Sequence, residues 1–92
     1  MAQDPAAAAA GLLARYRDAA ERTADPEVGV AMTASLEVHA LFKQLRESAE
    51  GRAGISALSL DANPHVRRWA ATHTLMWNRE AGRATLRGLN RL

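Results

Sequence analysis

A chain of 92 residues is enough for one small domain, near the size where a single core is only marginally stabilising. The absence of cysteine excludes a disulfide framework and any thiolate metal site, and a formal charge of +2 does not by itself imply nucleic acid. Hydrophobic residues make up 48% of the chain, but many are alanine and there is one Phe and one Tyr, so close helix packing must replace bulky side chains.

The elements are marked by their starts. All three prolines follow an Asp or Asn, as Asp4-Pro5, Asp25-Pro26 and Asn63-Pro64. Each pair reads as a helix cap followed by a first helical residue, where the missing N–H of proline costs nothing. The first predicted helix runs from Pro5 to Arg22, with Leu12, Leu13, Tyr16, Ala19 and Ala20 in one stripe. Residues 1–11 are expected to fray or to be partly disordered, because Ala6 to Ala10 have nothing large to bury and Gly11 costs about 1 kcal/mol relative to alanine. A second, long helix is predicted from Pro26 to Glu50, with Ala31, Ala34, Val38, Leu41, Phe42, Leu45 and Ala49 as its apolar stripe. Lys43–Glu47 and Arg46–Glu50 are spaced as i,i+4 ion pairs on it. Gly51 and Gly54 are expected to break the chain before a short helix from Arg52 to Leu60.

The stretch from Leu60 to Trp77 organises the rest. Asn63 is placed to cap and Pro64 to start a helix on which Val66, Trp69, Ala70, His73 and Trp77 share one face, while Ala71 and Leu75 lie opposite. Only a strip around Arg68 and Thr72 is left for water. A helix apolar on two sides needs neighbours on two sides, so this one is predicted to be central. Asn78 then caps a last helix from Arg79 to Arg91, with Ala81, Ala84, Leu86, Leu89 and Leu92 as its apolar positions.

Asp61, Pro64, Val66, Arg67, Ala70 and Ala71, with apolar Ile55, Leu58 and Leu60 upstream, resemble the turn and second helix of a HEAT repeat. Ile55 to Leu89 further resembles a family of short bacterial HEAT-like domains of unknown function. The resemblance implies an all-α fold of about five helices in a HEAT-like, α-solenoid-type stack. Residues 1–92 then form a single helical domain, with 52–92 as its HEAT-like repeat unit. It also implies a role in binding other macromolecules, and it brings no catalytic residues. Asp25-Pro26-Glu27-Val28 echoes Asn63-Pro64-His65-Val66 at a spacing of 38 residues, close to a HEAT period, but Gly29 stands where the arginine of the motif belongs. The echo is therefore read as a shared way of starting a helix.

Structural roles are expected for Asp61, Asn63, Pro64, Val66, Arg67, Trp69 and Ala70. A bidentate pairing of Arg67 with Asp61 could lock the turn; Trp69 and His73 are read first as core and second as part of an aromatic platform, while Trp77, at the helix end, is left open between the two. His39, His65 and His73 lack metal-ligand spacing, so no metal site is predicted. No nucleophile–base arrangement, phosphate loop or paired-carboxylate motif stands out, so neither an enzyme nor a cofactor is predicted.

The charge is uneven. Met1 to Asp61 holds six basic and nine acidic residues, whereas Ala62 to Leu92 holds six arginines against Glu80 alone. Arg79, Arg83, Arg87 and Arg91 recur at four-residue intervals as a winding basic stripe, with Arg68 and Trp77 as further candidate binding residues. The expectation is a cytoplasmic, non-catalytic protein-binding module of adaptor or toxin-neutralising type. Its expected partner is another protein, or a second copy through the C-terminal helix edge of Leu86, Leu89 and Leu92. The alternative is weak, sequence-independent nucleic-acid binding through the arginines. No membrane span is expected.

Overall fold

A computed structural model describes residues 4–90, in which five helices follow one another without a strand. They are α1 (Pro5–Arg22), α2 (Val28–Leu45), α3 (Ala49–Leu58), α4 (Pro64–Thr74) and α5 (Arg79–Asn90). The all-helical reading therefore holds for the described residues. The first start is as predicted: Asp4 Oδ1 accepts from the Ala6 N–H at 3.1 Å with Pro5 at the first helical position. Helix α1 continues unbroken through Gly11, and Ala9 is buried on it.

The long second helix is not continuous. Helix α2 begins at Val28, after Asp25 has folded its carboxylate back onto the Glu27 N–H at 2.8 Å, and it stops at Leu45. Ser48 is the reason for the new start: its hydroxyl accepts from the Gly51 N–H at 2.9 Å, a cap placed inside the last turn of the predicted helix. Arg52 donates to the Arg46 carbonyl at 2.7 Å, which satisfies an acceptor left open at the end of α2. Gly51 and Gly54 lie inside α3 and act as contact points, not as breakers. A Cβ on Gly51 would fall 2.0 Å from the Leu45 carbonyl oxygen, and one on Gly54 would fall 2.1 Å from Leu13 Cδ1. Their bareness lets α3 start tightly over the end of α2 and lie close on α1. The early end of α2 also removes both predicted i,i+4 pairs; Arg46 faces Glu47 at 3.7 Å instead.

Asn63 caps α4 as predicted, accepting from His65 and Val66 N–H at 2.9 and 3.3 Å. Helix α4 ends at Thr74 and not at Trp77, and a turn leads to Asn78, whose side chain accepts from the Ala81 N–H at 3.1 Å. The helix is central in the sense predicted: it packs against α1 and α3 on one side and α5 on the other. Arg68 and Thr72 are its exposed strip. The α4–α5 contact is made close by Gly82, where a Cβ would fall 2.7 Å from the Ala71 carbonyl oxygen.

The core is shared by Tyr16, Ala19 and Ala20 of α1, Val38, Leu41, Phe42 and Leu45 of α2, Ile55 of α3, and Val66 and Ala70 of α4. The described chain measures 45 × 33 × 20 Å. Its shortest dimension is about two helix diameters, so it is a two-layer slab with little depth for an enclosed pocket. Among the described residues no helix is long and apolar enough to cross a membrane.

Candidate functional site

The turn before α4 is locked, but by a different arginine from the one expected. Arg17 of α1 grips Asp61 in a two-point pair, Nε to Oδ1 at 2.9 Å and Nη2 to Oδ2 at 3.0 Å, and also pairs with Glu21. Asp61 Oδ2 accepts in addition from the Asn63 N–H at 2.9 Å. The hydrogen bonds from Arg17 hold the Asp61 carboxyl below its usual range, and the Asn63 N–H adds to this. Arg67 instead donates to the Asp61 backbone carbonyl at 3.2 Å. The expected Asp61–Arg67 carboxylate pair is therefore replaced by a long-range Arg17–Asp61 pair that ties α1 to the α3–α4 turn.

The aromatic side chains converge. His73 lies under the Phe42 ring, with centroids 3.9 Å apart and planes within 10°, and shares a 2.6 Å hydrogen bond between its Nδ1 and the Tyr16 hydroxyl. Trp69 and Trp77 flank this stack, Trp69 donating to Thr23 Oγ1 at 3.0 Å and Trp77 to Ser56 Oγ at 2.9 Å. Burial, assisted by the proximity of His39, lowers the His73 pKa to about 4, and burial pushes the Tyr16 phenol up. Every buried side-chain nitrogen and oxygen among the described residues has a partner. Both tryptophans pack on the core with their N–H groups satisfied. Trp69 lies in the core arrangement expected for it, whereas Trp77, a candidate binding residue, is half-buried against the same core with its N–H bonded to Ser56, and no open cage is formed.

Of the candidate binding residues, Arg68 is exposed on α4, three residues before the Ala71 crossing point. Arg79, Arg83 and Arg87 are exposed along α5, and none of them makes an ion pair among the described residues. Arg91 and Leu92 lie outside the described residues. The C-terminal apolar edge is less open than expected, because Leu89 is only 8% exposed and Leu86 is half-buried. Leu89 sits in a shallow groove of about 330 Å³ shared with Ser59, Leu60, Arg67, Ala84 and Thr85. Among the described residues no three His, Asp or Glu side chains are placed to hold a metal.

Besides the isolated Leu60 and Met76, the exposed large apolar side chains lie together on α2, where they were not expected. Val28, Met32 and Leu36 are 74%, 62% and 68% exposed. At intervals of four they form one row, beside a second exposed row of Gly29, Thr33 and Ala40. The first row carries no charge. The second is edged by Glu37, four residues on from Thr33, which is paired with Arg22 at 3.0 Å and Arg15 at 4.0 Å. The four-residue spacing was legible in the sequence, but it was hidden beside the stronger core stripe of the same helix. Val28 also settles the echo of the central motif: its counterpart Val66 is fully buried, so the two starts place their valines in opposite environments.

No protein-family model, no curated protein and no solved structure matches this chain. The functional reading therefore has to come from these surfaces.

Proposed function

We propose that this chain is a non-catalytic, HEAT-like helical module that binds another protein through the outer face of α2, as an adaptor or toxin-neutralising partner would. The observation that carries the proposal is the uncharged exposed band of Val28, Gly29, Met32, Thr33, Leu36 and Ala40. Three large apolar side chains in one row expose a contiguous patch of a few hundred Å², the scale at which a patch on a small protein marks an interaction site. An amphipathic face read at i, i+4 and i+8 is the form in which one helix docks on another. The HEAT-like part of the proposal is supported by the capped α3–α4 turn, in which Asp61, Asn63 and Arg67 all bond to the turn backbone.

The test is a comparison of immobilised parent and Leu36→Glu protein as baits in lysate of the source organism. Leu36 faces solvent, so the variant keeps its helical circular dichroism. Specific proteins retained by the parent and lost with the variant are expected; an unchanged set of retained proteins refutes the role of this face.

A second reading is supported by the exposed arginines of α5. Arg79, Arg83 and Arg87 could meet about three phosphates, giving weak binding that falls steeply with salt and lacks base specificity. Titration of a fluorescent duplex at about 50 and 200 mM salt, with parent and Arg83→Glu/Arg87→Glu protein, separates the readings. No signal from the parent at the lower salt retires it.

A further inference from the structure

We propose that the flank where α4 meets α5 seats the phosphate backbone of a nucleic-acid duplex, with Arg68 of α4 joining Arg79, Arg83 and Arg87 of α5 in one cationic surface; this rests on the second reading above and adds to it the second helix and the choice of a duplex. The placement follows from how the two helices touch. A Cβ on Gly82 would fall against the Ala71 carbonyl oxygen and the Leu75 side chain, so Ala71 and Leu75 mark the line along which α4 faces α5, as Gly82 and buried Leu89 mark it on α5. Arg67 lies to one side of that line, in the groove with Thr85 and Gly88. The helices are therefore antiparallel, the earlier residue of α4 meeting the later residues of α5. Arg68 is about 100° further round α4 than Arg67, which carries it across the line to the other side. On α5 the three arginines are turned from the Gly82–Leu89 line in the sense opposite to Thr85 and Gly88. All four arginines thus share the flank away from the groove.

Counted from the Ala71–Gly82 crossing, Arg68 stands level with Thr85, and so within about 3 Å of axial height of both Arg83 and Arg87. Packed helix axes are about 8–10 Å apart, a span that two arginine side chains close when they turn toward a shared anion. All four are exposed and make no ion pair among the described residues. Glu80 is the single acidic residue of the two helices, and it stands on the side of α5 turned from α4.

Two further observations choose the partner. A protein interface needs an apolar centre, and the exposed large apolar side chains are Val28, Met32 and Leu36 on α2 with Leu60 and Met76 in turns, none of them on α4 or α5. A polyanion fits this flank better than a folded protein does. Single strands are held by stacking their bases on aromatic rings, and here Tyr16 and Phe42 are buried while both tryptophans pack on the core with their N–H groups bonded. Without stacking, affinity follows charge density, which is about twice as high along a duplex as along one strand. Thr72, the hydroxyl beside Arg68, is already bonded to the Arg68 carbonyl at 2.8 Å, so the contacts are to phosphates and not to sugars or bases.

Fluorescence anisotropy of labelled duplex DNA, duplex RNA and single-stranded DNA of equal length, titrated between about 50 and 200 mM salt, tests this with the parent, Arg68→Gln, Arg68→Lys and Lys43→Gln. The parent should bind the two duplexes alike and the single strand at least about fivefold more weakly, with a log–log salt slope of about −3 to −4 on duplex DNA. Arg68→Gln should weaken duplex binding about tenfold at the lower salt and reduce the slope by about 1, whereas Arg68→Lys keeps the slope. Lys43→Gln removes an exposed cation from α2 and should bind as the parent does. Both positions are exposed, so circular dichroism should be unchanged throughout. A parent that binds no duplex at the lower salt overturns this inference together with the reading it rests on. Duplex binding that Arg68→Gln leaves intact, or that Lys43→Gln weakens equally, overturns the two-helix site while leaving the α5 arginines as the contact. Tighter binding of the single strand overturns the choice of a duplex, and a tenfold preference for either sugar overturns recognition by phosphates alone.

Discussion

His73 should make this protein acid-sensitive well above the range in which carboxylates titrate. Its ring is 8% exposed, stacked on Phe42 and bonded to the Tyr16 hydroxyl, and burial lowers its pKa to about 4. In the unfolded chain the same imidazole has a pKa of about 6.5. Between these values the unfolded state takes up a proton that the folded state excludes. The stability that His73 contributes is therefore intact above about pH 6.5 and is lost progressively as pH falls toward 4. Moving from pH 7 to pH 5 should cost about 2 kcal/mol by this linkage, a large part of the total for a domain of this size. Urea unfolding at the two pH values measures it directly. The parent midpoint should fall sharply at pH 5, whereas His73→Gln, which can still bond Tyr16 but does not titrate, should be less stable at pH 7 and lose most of the difference. A parent with the same midpoint at both pH values, or a variant that keeps the full difference, refutes the reasoning. Direct NMR titration of the His73 ring should place its midpoint near 4.

Three further substitutions probe the packing. Gly82→Ala should destabilise by about 1–3 kcal/mol, because the new methyl lands 2.7 Å from the Ala71 carbonyl and forces α5 off α4; thermal melting by circular dichroism reads the loss. Val66→Asp buries a charge among Tyr16, Leu41 and Ile55 with no partner provided for it, and should leave the chain unfolded at 25 °C; a melt like the parent's would show the map of α4 to be wrong. Asp61→Ala should cost about 1 kcal/mol, a figure held down by the solvent screening of Arg17, and the loss should shrink below pH 4 as the parent carboxylate is itself protonated. Equal losses at pH 7 and pH 3 would argue against the carboxylate as the source.

What could be read from the sequence was the local chemistry of most helix starts, the exception being Asp25-Pro26, after which the helix begins only at Val28. Asp4, Asn63 and Asn78 accept from N–H groups two or three residues on, as their positions predict, because a cap needs only its own side chain and the following backbone. Ser48 is the same device, and it was passed over because the apolar stripe of α2 runs up to Ala49 and favours continuity. Asp61 illustrates a different limit. Its partner lies 44 residues away on α1, and nothing local distinguishes Arg17 from the nearer Arg67. The glycines were misread for a related reason: Gly51, Gly54 and Gly82 serve close approach, a property of the neighbouring element and not of the glycine's own segment.

The α2 face shows why helical periodicity alone could not place the candidate site. Helix α2 is apolar on two sides, with Ala34, Val38, Leu41, Phe42 and Leu45 buried on one and Val28, Met32 and Leu36 exposed on another. The pattern on α4 is of the same kind, and there both sides are covered, by α1 and α3 and by α5. A sequence with two apolar helices of this type and five helices in all does not state which of the two lies inside. That is decided by the turns: Ser48 ends α2 early and turns α3 onto α1 and α4, while Asn78 carries α5 onto α4. The second side of α2 is left uncovered by the described fold, and that uncovered row of Val28, Met32 and Leu36 is the surface the proposed protein-binding role draws on.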